Sequence, residues 1–429
     1  MHPSDAIRGR RSQLLAGRRI VLGVSGSIAA IEVPRIIREL IRHGADVRVV
    51  MSGEAARLVT PESLRFASGH PPVTELTGDV EHVTWMGPGD TRADLLLIAP
   101  ATANTISKIA HGIDDTPVTS FASVALGGRV PILLAPAMHA HMGENPAVKA
   151  NLQQLRAWGV EIIEPRREET EEKVASPEEV AAAVLHRLAK GPWAGRRVIV
   201  IGGASHEPID DVRSVTNESS GETAASLATQ AYYRGAQVSL WMGASSVPVP
   251  SFLTEVRWSS VEDLQRLVEQ EKTALASAEA VWIPAALADY TVRARPEKID
   301  SRRSPQLTLK LGPAPKILPE IRRRVPAPGV VVGFKLVSRK TPDELRDLAQ
   351  RLLDEVGLDA VVGNDRAVMG SPHADVLLLR KDGRSHWIRG PKAEVAGRLL
   401  DELGRDLAFR PDAGALTGAR ARTRRRPRK

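Results

Sequence analysis

The chain has no cysteine among its 429 residues, and aromatic residues make up only 3% of it. The first absence excludes disulfides, thiolate metal sites and cysteine nucleophiles, and the second leaves few rings for stacking on nucleic-acid bases. No stretch approaches 18 consecutive apolar residues, and the arginine-containing N-terminus lacks the apolar core of a signal peptide. We therefore expect a cytoplasmic protein. Its 42% hydrophobic residues suffice for a buried core.

Positive charge is concentrated at the C-terminus. Residues 410–429 contain eight Lys or Arg and one Asp, whereas the whole chain has a net charge of only +8. The sequence therefore predicts a nearly neutral protein with a basic disordered tail at 410–429. Such a tail can bind polyanions, RNA or anionic lipid, through their phosphates. A solvated tail without a ligand is the interpretation we favour, because no aromatic residue or motif accompanies the charges.

Two similar openings divide the chain. The apolar runs at 20–24 and 198–201 each end in a loop of small residues, which a helical pattern and a second strand follow. Continuously apolar strands are typical of parallel sheets buried on both faces. The predicted fold class is therefore α/β, with two doubly wound (Rossmann- or flavodoxin-like) three-layer domains in tandem.

The patterning divides the chain into four segments: an N-terminal arm (1–16), a first domain (17–190), a second domain (191–409) and the tail. The predicted strands are 20–24, 46–51, 94–98, 130–135 and 160–163 in the first domain, and 198–201, 237–241, 280–283, 330–334, 360–362, 375–380 and 386–389 in the second. The main predicted helices are 29–43, 222–234 and 392–407. Asp382-Gly383 predicts a hairpin turn between the last two strands.

Small polar residues follow several strands of the first half. The loops at 23–28, 99–105 and 136–139 come directly after predicted strands, and His82 precedes another. Ligands of open α/β sheets bind at the carboxyl ends of strands, near helix N-termini. Each loop alone also fits a tight turn or a helix cap, and a lone histidine is more often structural. Four such clusters at one sheet edge favour a ligand site.

These residues carry a resemblance. Ser-Gly-Ser-Ile at 25–28, His82, Pro-Ala-Thr-Ala-Asn-Thr at 100–105 and Pro-Ala-Met-His at 136–139 resemble the flavin-dependent cysteine decarboxylase family. Ser-Ser-Gly at 219–221 and Ala-Asp-Tyr at 288–290 have the order found in its ligase partner. Together they resemble the fused phosphopantothenoylcysteine decarboxylase/phosphopantothenate–cysteine ligase family of coenzyme A biosynthesis, in its archaeal form, over about residues 17–405.

The resemblance implies that the first domain binds FMN and decarboxylates 4′-phosphopantothenoylcysteine to 4′-phosphopantetheine. His82, Asn104 and His139 are its implied catalytic or pocket-lining residues. The implied FMN contacts are Ser25, Gly26, Ser27, Ile28, Ser52, Thr102, Ala137 and Met138.

For the second domain, the resemblance implies ligation of cysteine to 4′-phosphopantothenate through an acyl-cytidylate formed from CTP with Mg²⁺. Asn217 and Lys298 are the implied catalytic residues, and Arg213 is implied to reach the substrate phosphate. The implied CTP contacts are Ile283, Pro284, Ala285, Asp289, Lys298, Lys316 and Phe334. Surface lysines are usually only solvated and Asn217 could simply cap a helix, and no metal ligand can be named. The family also implies a homo-oligomer of decarboxylase trimers joined by ligase dimers.

Four departures from the family pattern stand out. His139 replaces the bacterial asparagine, and the proton-donating lid cysteine is absent, so that Lys173 or a glutamate near 166–173 would have to replace it, or water. The loop at 202–207 is altered, and Glu222 replaces a lysine after Ser-Ser-Gly.

Alternative functions therefore remain open. The chain could be an active decarboxylase with a degenerate or retuned ligase half, or a non-catalytic flavin- or nucleotide-binding protein. A flavin prenyltransferase would not explain residues 196–405.

Overall fold

A computed structural model of the chain describes residues 2–164, 166–168, 171–173, 175–300, 306–368 and 370–408. The chain divides between residues 189 and 190 into two compact units. Within the described ranges, no helix is both long and apolar enough to cross a membrane. The predicted basic tail lies outside the described residues.

The first unit is built on seven strands and ten helices in the described ranges. The strands are β1 (Arg19–Val24), β2 (Asp46–Met51), β3 (Leu95–Ala101), β4 (Ile132–Pro136), β5 (Glu161–Ile162), β6 (Arg166–Glu168) and β7 (Glu171–Lys173). The helices are α1 (Pro3–Ile7), α2 (Val33–Arg42), α3 (Gly53–Ala56), α4 (Pro61–Ser68), α5 (Glu81–Met86), α6 (Ala103–Ala110), α7 (Pro117–Gly127), α8 (Ala140–Gly143), α9 (Pro146–Ala157) and α10 (Pro177–Leu188).

Five of these strands form one parallel sheet in the order β2-β1-β3-β4-β5. Strand β3 is buried along its whole length, as its continuous apolar sequence predicts. This strand order is that of flavodoxin-like folds, in which the chain reverses direction across the sheet between β1 and β3. The crevice at the carboxyl ends of these two strands is therefore where a ligand is expected.

The first sixteen residues, predicted as an arm, pack on the first unit. Helix α1 contacts α2 and α4, and Leu15 is almost fully buried. The guanidinium of Arg8 donates to the carbonyl of Ala45, and Arg11 forms an ion pair with Glu39, a buried carboxylate on α2. Burying a carboxylate without such partners would be costly, so this contact fixes the segment in place.

The second unit contains twelve strands and six helices in the described ranges. The strands are β8 (Arg197–Gly202), β9 (His206–Pro208), β10 (Ser214–Thr216), β11 (Gln237–Met242), β12 (Thr254–Arg257), β13 (Ala280–Ile283), β14 (Tyr290–Val292), β15 (Leu311–Pro313), β16 (Val330–Val337), β17 (Ala360–Asp365), β18 (His373–Arg380) and β19 (Ser385–Pro391). The helices are α11 (Glu222–Tyr233), α12 (Val261–Gln270), α13 (Lys272–Ser277), α14 (Ile317–Arg324), α15 (Pro342–Val356) and α16 (Lys392–Ala408).

An eight-stranded sheet in the order β12-β11-β8-β13-β16-β17-β18-β19 forms the centre of this unit. Its first six strands are parallel, and β18 and β19 form the predicted antiparallel hairpin. Helices α11 and α16 cover one face, against Val200 and Trp282, while α12, α14 and α15 cover the other, against Ile199 and Val281. The predicted three-layer α/β fold is confirmed.

The predictions were wrong for some individual elements. Residues 29–43 were predicted as one helix, but a 3₁₀ helix (Ile28–Glu32) precedes α2, which begins beside Pro34. Proline has no N–H to donate and prefers the first turn of a helix, so a new helix starts there. The short hairpins β9–β10 and β14–β15 were not predicted, because three-residue strands show no alternation of apolar and polar residues.

Candidate active sites

Hydrogen bonds bring together three of the predicted loops at the edge of the first sheet. The hydroxyl of buried Ser25 donates to the carbonyl of Pro100 at 2.7 Å and accepts the N–H of Thr102 at 3.0 Å. The N–H of Ala137 donates to the carbonyl of Ala101 at 3.0 Å. The loops after β1, β3 and β4 thus meet at the crevice. Ser25 joins the loops after β1 and β3, and its hydroxyl already donates to the carbonyl of Pro100.

The loop after β1 leaves backbone at the surface of this crevice. Ser27 caps the 3₁₀ helix by accepting the N–H of Ala29 at 3.4 Å, and Ile28 is 71% exposed. A Cβ on Gly26 would lie 2.5 Å from the Cβ of Glu54, so the close approach of these two segments requires glycine. The start of a helix after a small-residue loop is a ready anion site.

Two further predicted residues cap helices at this edge. Thr102 accepts the N–H of Thr105 at 3.2 Å at the start of α6, and Ser52 accepts the N–H of Ala55 at 3.2 Å at the start of α3. The N–H of Ser52 also donates to Val24, the last residue of β1, at 3.0 Å. Both hydroxyls therefore have structural roles and lie at strand ends. Asn104 is exposed in the first turn of α6, and Met138 follows β4 half-buried.

His82, on α5, has a buried ring nitrogen without a described hydrogen-bond partner. Its Nδ1 is buried and has no hydrogen-bond partner among the described residues, and its ring centroid lies 6.3 Å from that of Phe121 on α7. A buried polar atom without a partner costs free energy, and such atoms concentrate where a ligand completes the site. Val80, just before α5, has φ 47°, a left-handed conformation that a β-branched residue rarely adopts.

His139 and the lid region mark two departures from the family pattern. His139 caps α8 by accepting the N–H of His141 at 3.3 Å, and the two ring centroids are 5.1 Å apart. Strands β6 and β7, which cover the predicted lid, pair as an antiparallel hairpin. The side chain of Lys173, the predicted substitute for the lid cysteine, lies outside the described residues.

The second unit contains a cavity of about 450 Å³ at the carboxyl ends of its central strands. Among the predicted CTP contacts it is lined by Pro284, Ala285 and Phe334. Further lining residues are Gly203, Glu218, Ser219, Ser220, Gly221, Glu222, Ser246, Ala286, Leu336, Asn364 and Lys392. The predicted Ser-Ser-Gly motif and Asn364 therefore belong to the same cavity, whereas Ile283 is buried at the end of β13 and does not line it.

Two glycines shape the entrance of this cavity. Gly221, before α11, has φ 78°, and a Cβ there would lie 2.8 Å from the hydroxyl of Ser245. Gly203, after β8, has φ 90°, and its Cβ would lie 2.8 Å from the carbonyl oxygen of Ala244. Only glycine adopts such a conformation readily. The turn places the start of the 12-residue helix α11 at the cavity, where the N–H of Glu222 donates to the hydroxyl of Ser220 at 3.3 Å.

Asn217 is oriented by the loop after β13. Its Nδ2 donates to the carbonyls of Ala286 at 3.2 Å and Leu287 at 3.0 Å, so it is not a helix cap. The amide oxygen remains exposed and has no partner among the described residues. The side chain is held beside a residue that lines the cavity, Ala286, without lining it itself.

The predicted cations lie outside this cavity. Lys316 donates to Asp289 at 2.6 Å, and both side chains are largely exposed. Lys298 is exposed and forms no ion pair with any described residue. Neither lysine lines the cavity.

Arg213 was predicted to reach the substrate phosphate, but its guanidinium is engaged elsewhere. It donates to Asp210 at 2.6 Å and to the carbonyl of Ile299 at 3.2 Å. Asp210 also accepts the N–H of Ile299 at 3.0 Å and those of Val212 and Arg213. The N–H of Ile299, followed by those of Val212 and Arg213, holds the pKa of the Asp210 carboxyl well below its usual range despite burial. We call this arrangement the Asp210 clasp; it fastens the segment that carries Lys298.

The altered loop at 202–207 retains a structural carboxylate. Glu207 is buried and accepts the N–H of Val261, at the start of α12, at 3.0 Å and the hydroxyl of Thr291 at 3.2 Å. It therefore ties the loop to α12 and to β14.

The sequence prediction missed Lys392 entirely. This residue begins α16, lines the cavity and forms an ion pair with Glu222, the glutamate found in place of the family lysine. The signal that could have found it was Glu222 itself, because a partly buried carboxylate needs a cation or hydrogen-bond donors to compensate its charge.

Comparison with known proteins covers nearly the whole chain. Residues 8–189 match the model of the Flavoprotein family, and residues 193–406 match the DNA/pantothenate metabolism flavoprotein C-terminal domain. The coenzyme A biosynthesis bifunctional protein CoaBC of Thermococcus kodakarensis is 41% identical over 409 residues, which are 95% of this chain and 100% of that one. Its counterpart in Methanocaldococcus jannaschii is 33% identical over 408 residues, with 94% and 97% covered.

Among solved structures, the FMN-dependent cysteine decarboxylase SpaF is 34% identical, with 40% of this chain and 99% of that chain covered and a TM-score of 0.34. The two family models and the extensive identity to the archaeal relatives are sufficient to assign the family. The chain belongs to the bifunctional CoaBC family of coenzyme A biosynthesis, which combines a phosphopantothenoylcysteine decarboxylase with a phosphopantothenate–cysteine ligase.

Proposed function

We propose that the second domain uses CTP and Mg²⁺ to join cysteine to 4′-phosphopantothenate, and that the first domain then decarboxylates the product with FMN. The observation that carries this proposal is the pairing of two sites at strand ends. One is the crevice at the carboxyl ends of β1, β3 and β4 in the first domain, and the other is the cavity before α11 in the second. Each lies where open α/β sheets bind their ligands.

In the second domain, the cavity before α11 is the proposed nucleotide site. The start of α11 lines the cavity and suits a phosphate chain, and Phe334 and Pro284 offer apolar surface to a base. Asn217 is held beside Ala286 by its two donated hydrogen bonds, which prepares its side chain to contact an acyl-cytidylate. The described residues contain no cluster of three potential metal ligands, so Mg²⁺ would be bound mainly through the phosphates.

In the first domain, the residues present fit FMN. The loop at 25–28 would hold its phosphate, Ser52, Thr102, Ala137 and Met138 would line its ring system, and the orphaned Nδ1 of His82 is a buried atom that a ligand would satisfy. The flavin supplies the redox chemistry that makes loss of CO₂ possible. His82 would hold the substrate carboxylate, with Asn104 and His139 as further polar contacts.

The assembly belongs to this proposal as well. We propose trimers of the first domain joined by dimers of the second, with the basic tail available for polyanions.

The purified full chain tests this function. Supplied with 4′-phosphopantothenate, cysteine, CTP and Mg²⁺, it should be yellow and should form 4′-phosphopantetheine and CMP, detected by mass spectrometry. Parallel reactions with ATP, GTP or UTP test whether the site prefers another nucleotide. The reason for this test is Glu222, which lines the cavity where the family pattern has a lysine. Should CO₂ appear only when phosphopantothenoylcysteine is supplied, the ligase assignment is wrong. A colourless protein without either product overturns both assignments.

A further inference from the structure

One ion pair in the second domain lies at the wall of the cavity, with the Glu222 side chain 38% exposed. The ammonium of Lys392 contacts the carboxylate of Glu222, and the lysine side chain is only 12% exposed. Removing an ammonium group from water costs free energy unless an anion compensates it. A lysine that lines an open cavity and already pairs with one carboxylate is in a position to bind an anionic ligand that enters the cavity.

The charges of the cavity wall are few. Among its described lining residues, Lys392 is the one cation, and the anions are Glu222 and Glu218. Glu218 is largely exposed and pairs with Arg366 at 3.1 Å. The charge of the inner wall therefore depends on Lys392 and Glu222 alone.

Two helices begin at these residues and contact each other. Helix α11 starts at Glu222, and α16 starts at Lys392. The N-terminus of a helix favours an anion and disfavours a cation. The carboxylate of Glu222 thus lies where two helix starts and an ammonium group all favour negative charge. Lys392 opposes the dipole of its own helix, and the carboxylate of Glu222 compensates its charge.

We propose that Lys392 is the cation that binds the phosphate chain of the nucleotide, and that Glu222 is its resident counter-ion. The bound nucleotide takes the place of the Glu222 carboxylate beside the ammonium group. This inference rests on the proposed function, because it requires a nucleoside triphosphate in the cavity. It accounts for the glutamate after Ser-Ser-Gly, since the cation comes from α16 and the ion pair with the glutamate holds its side chain at the cavity wall.

Calorimetric titration of the flavin-loaded full chain with CTP and Mg²⁺ tests the inference. Lys392→Met should weaken CTP binding by about tenfold or more, the loss expected for a charge-assisted contact. Glu222→Gln should tighten binding several-fold, because it removes the competing charge but retains a hydrogen-bonding side chain. Lys392→Arg should remain close to the unmodified chain. Lys340→Met, which breaks the exposed pair of Lys340 with Glu344, is the matched control and should leave CTP binding unchanged.

The outcomes separate this inference from the proposed function. If the unmodified chain binds CTP and Lys392→Met binds it equally well, the role of Lys392 is wrong and the nucleotide site stands. Unchanged or weaker binding by Glu222→Gln overturns the counter-ion role. If the unmodified chain does not bind CTP, both proposals fail. Should Lys392→Met not fold, as judged by circular dichroism, the Glu222→Gln titration still decides, because tighter CTP binding supports the displaced ion pair and unchanged or weaker binding overturns it.

Discussion

At the scale of single residues, the first prediction concerns the role of His82 in decarboxylation. Its Nδ1 is buried without a hydrogen-bond partner among the described residues, as expected of an atom that contacts a ligand. We expect His82→Asn to lower the rate of CO₂ release from phosphopantothenoylcysteine by about 10²- to 10⁴-fold, the range typical of a lost acid–base or carboxylate-orienting group. Release of ¹⁴CO₂ from labelled substrate measures this rate.

Flavin absorbance provides the control for this variant. Because asparagine is smaller and α5 remains packed on α7, the bound flavin should be retained. The matched variant His111→Asn, at an exposed histidine after α6, should keep its full rate. Equal rates in His82→Asn and the unmodified chain would show that His82 has no role in the chemistry.

Glu39 gives a prediction about stability and pH. Burial acts to raise the pKa of its carboxyl, but the hydrogen bond with His43 and the charge of Arg11 outweigh it, so that the pKa lies below its usual value of 4.5. A lowered pKa in the folded state means that the ionised carboxylate stabilises the fold above the unfolded-state value, and that this contribution is lost as the pH falls through the folded-state value.

We therefore expect Glu39→Gln to lower the free energy of unfolding by about 1–3 kcal/mol at pH 7, since charge-assisted hydrogen bonds are lost. The difference from the unmodified chain should shrink as the pH falls below the unfolded-state value of 4.5 and through the lower folded-state pKa, where Glu39 itself becomes protonated. Urea unfolding at several pH values measures it, with Glu62→Gln, in an exposed pair with Arg65, as control. A difference that stays constant from pH 7 to pH 3 contradicts this account.

The positions of site residues could be predicted where those residues directly follow a strand. They could not be predicted where they depend on contacts between segments distant in sequence. The small residues at 25–28, Thr102 and Ala137 follow buried strands, so their place at the sheet edge could be inferred from the sequence. Arg213 and Lys392 depend on contacts between distant segments. The guanidinium of Arg213 binds Asp210, and Lys392 belongs to a helix that begins 170 residues after Glu222.

At the scale of elements, the central strands could be predicted because parallel strands buried on both faces are continuously apolar. Short elements escaped prediction: β14 and β15 have three residues each, and their pairing depends on the surrounding loops. The break between the 3₁₀ helix and α2 was visible only as Pro34 in an otherwise helical pattern.

The Asp210 clasp gives the prediction at this scale. Asp210 and Arg213 hold Ile299 through both its N–H and its carbonyl, next to Lys298. Asp210→Asn removes the charge that binds Arg213, so we expect the segment around Ile299 to detach more often. Trypsin should then cleave after Lys298 several-fold faster than in the unmodified chain, as followed by peptide mass spectrometry.

Asp382→Asn, which affects the exposed pair with Arg384 in the β18–β19 turn, serves as the control. It should leave cleavage after Lys298 unchanged. If Asp210→Asn is cleaved there no faster than this control, the clasp does not restrain the segment.

At the scale of the whole molecule, the fold class followed from the two repeated openings, each with a buried strand, a small-residue loop and a helix. The candidate site of each domain could be predicted from the sequence only in part. The loops were predictable from the strand ends, whereas the lining of the cavity before α11 also draws on α16, whose helical pattern showed no link to the site.

The concentration of positive charge at the C-terminus leads to a prediction about RNA binding. Eight of its 59 Lys and Arg residues lie within 410–429, and the remainder is nearly neutral. If the tail alone attracts polyanions, a chain ending at residue 409 should lose RNA binding in a gel shift while keeping both enzymatic rates. For the full chain, the slope of log K against log salt should reach at most about −6, since each neutralised phosphate of a single strand contributes about −0.7. A truncated chain that still binds RNA with the same slope would place the contact in one of the folded domains.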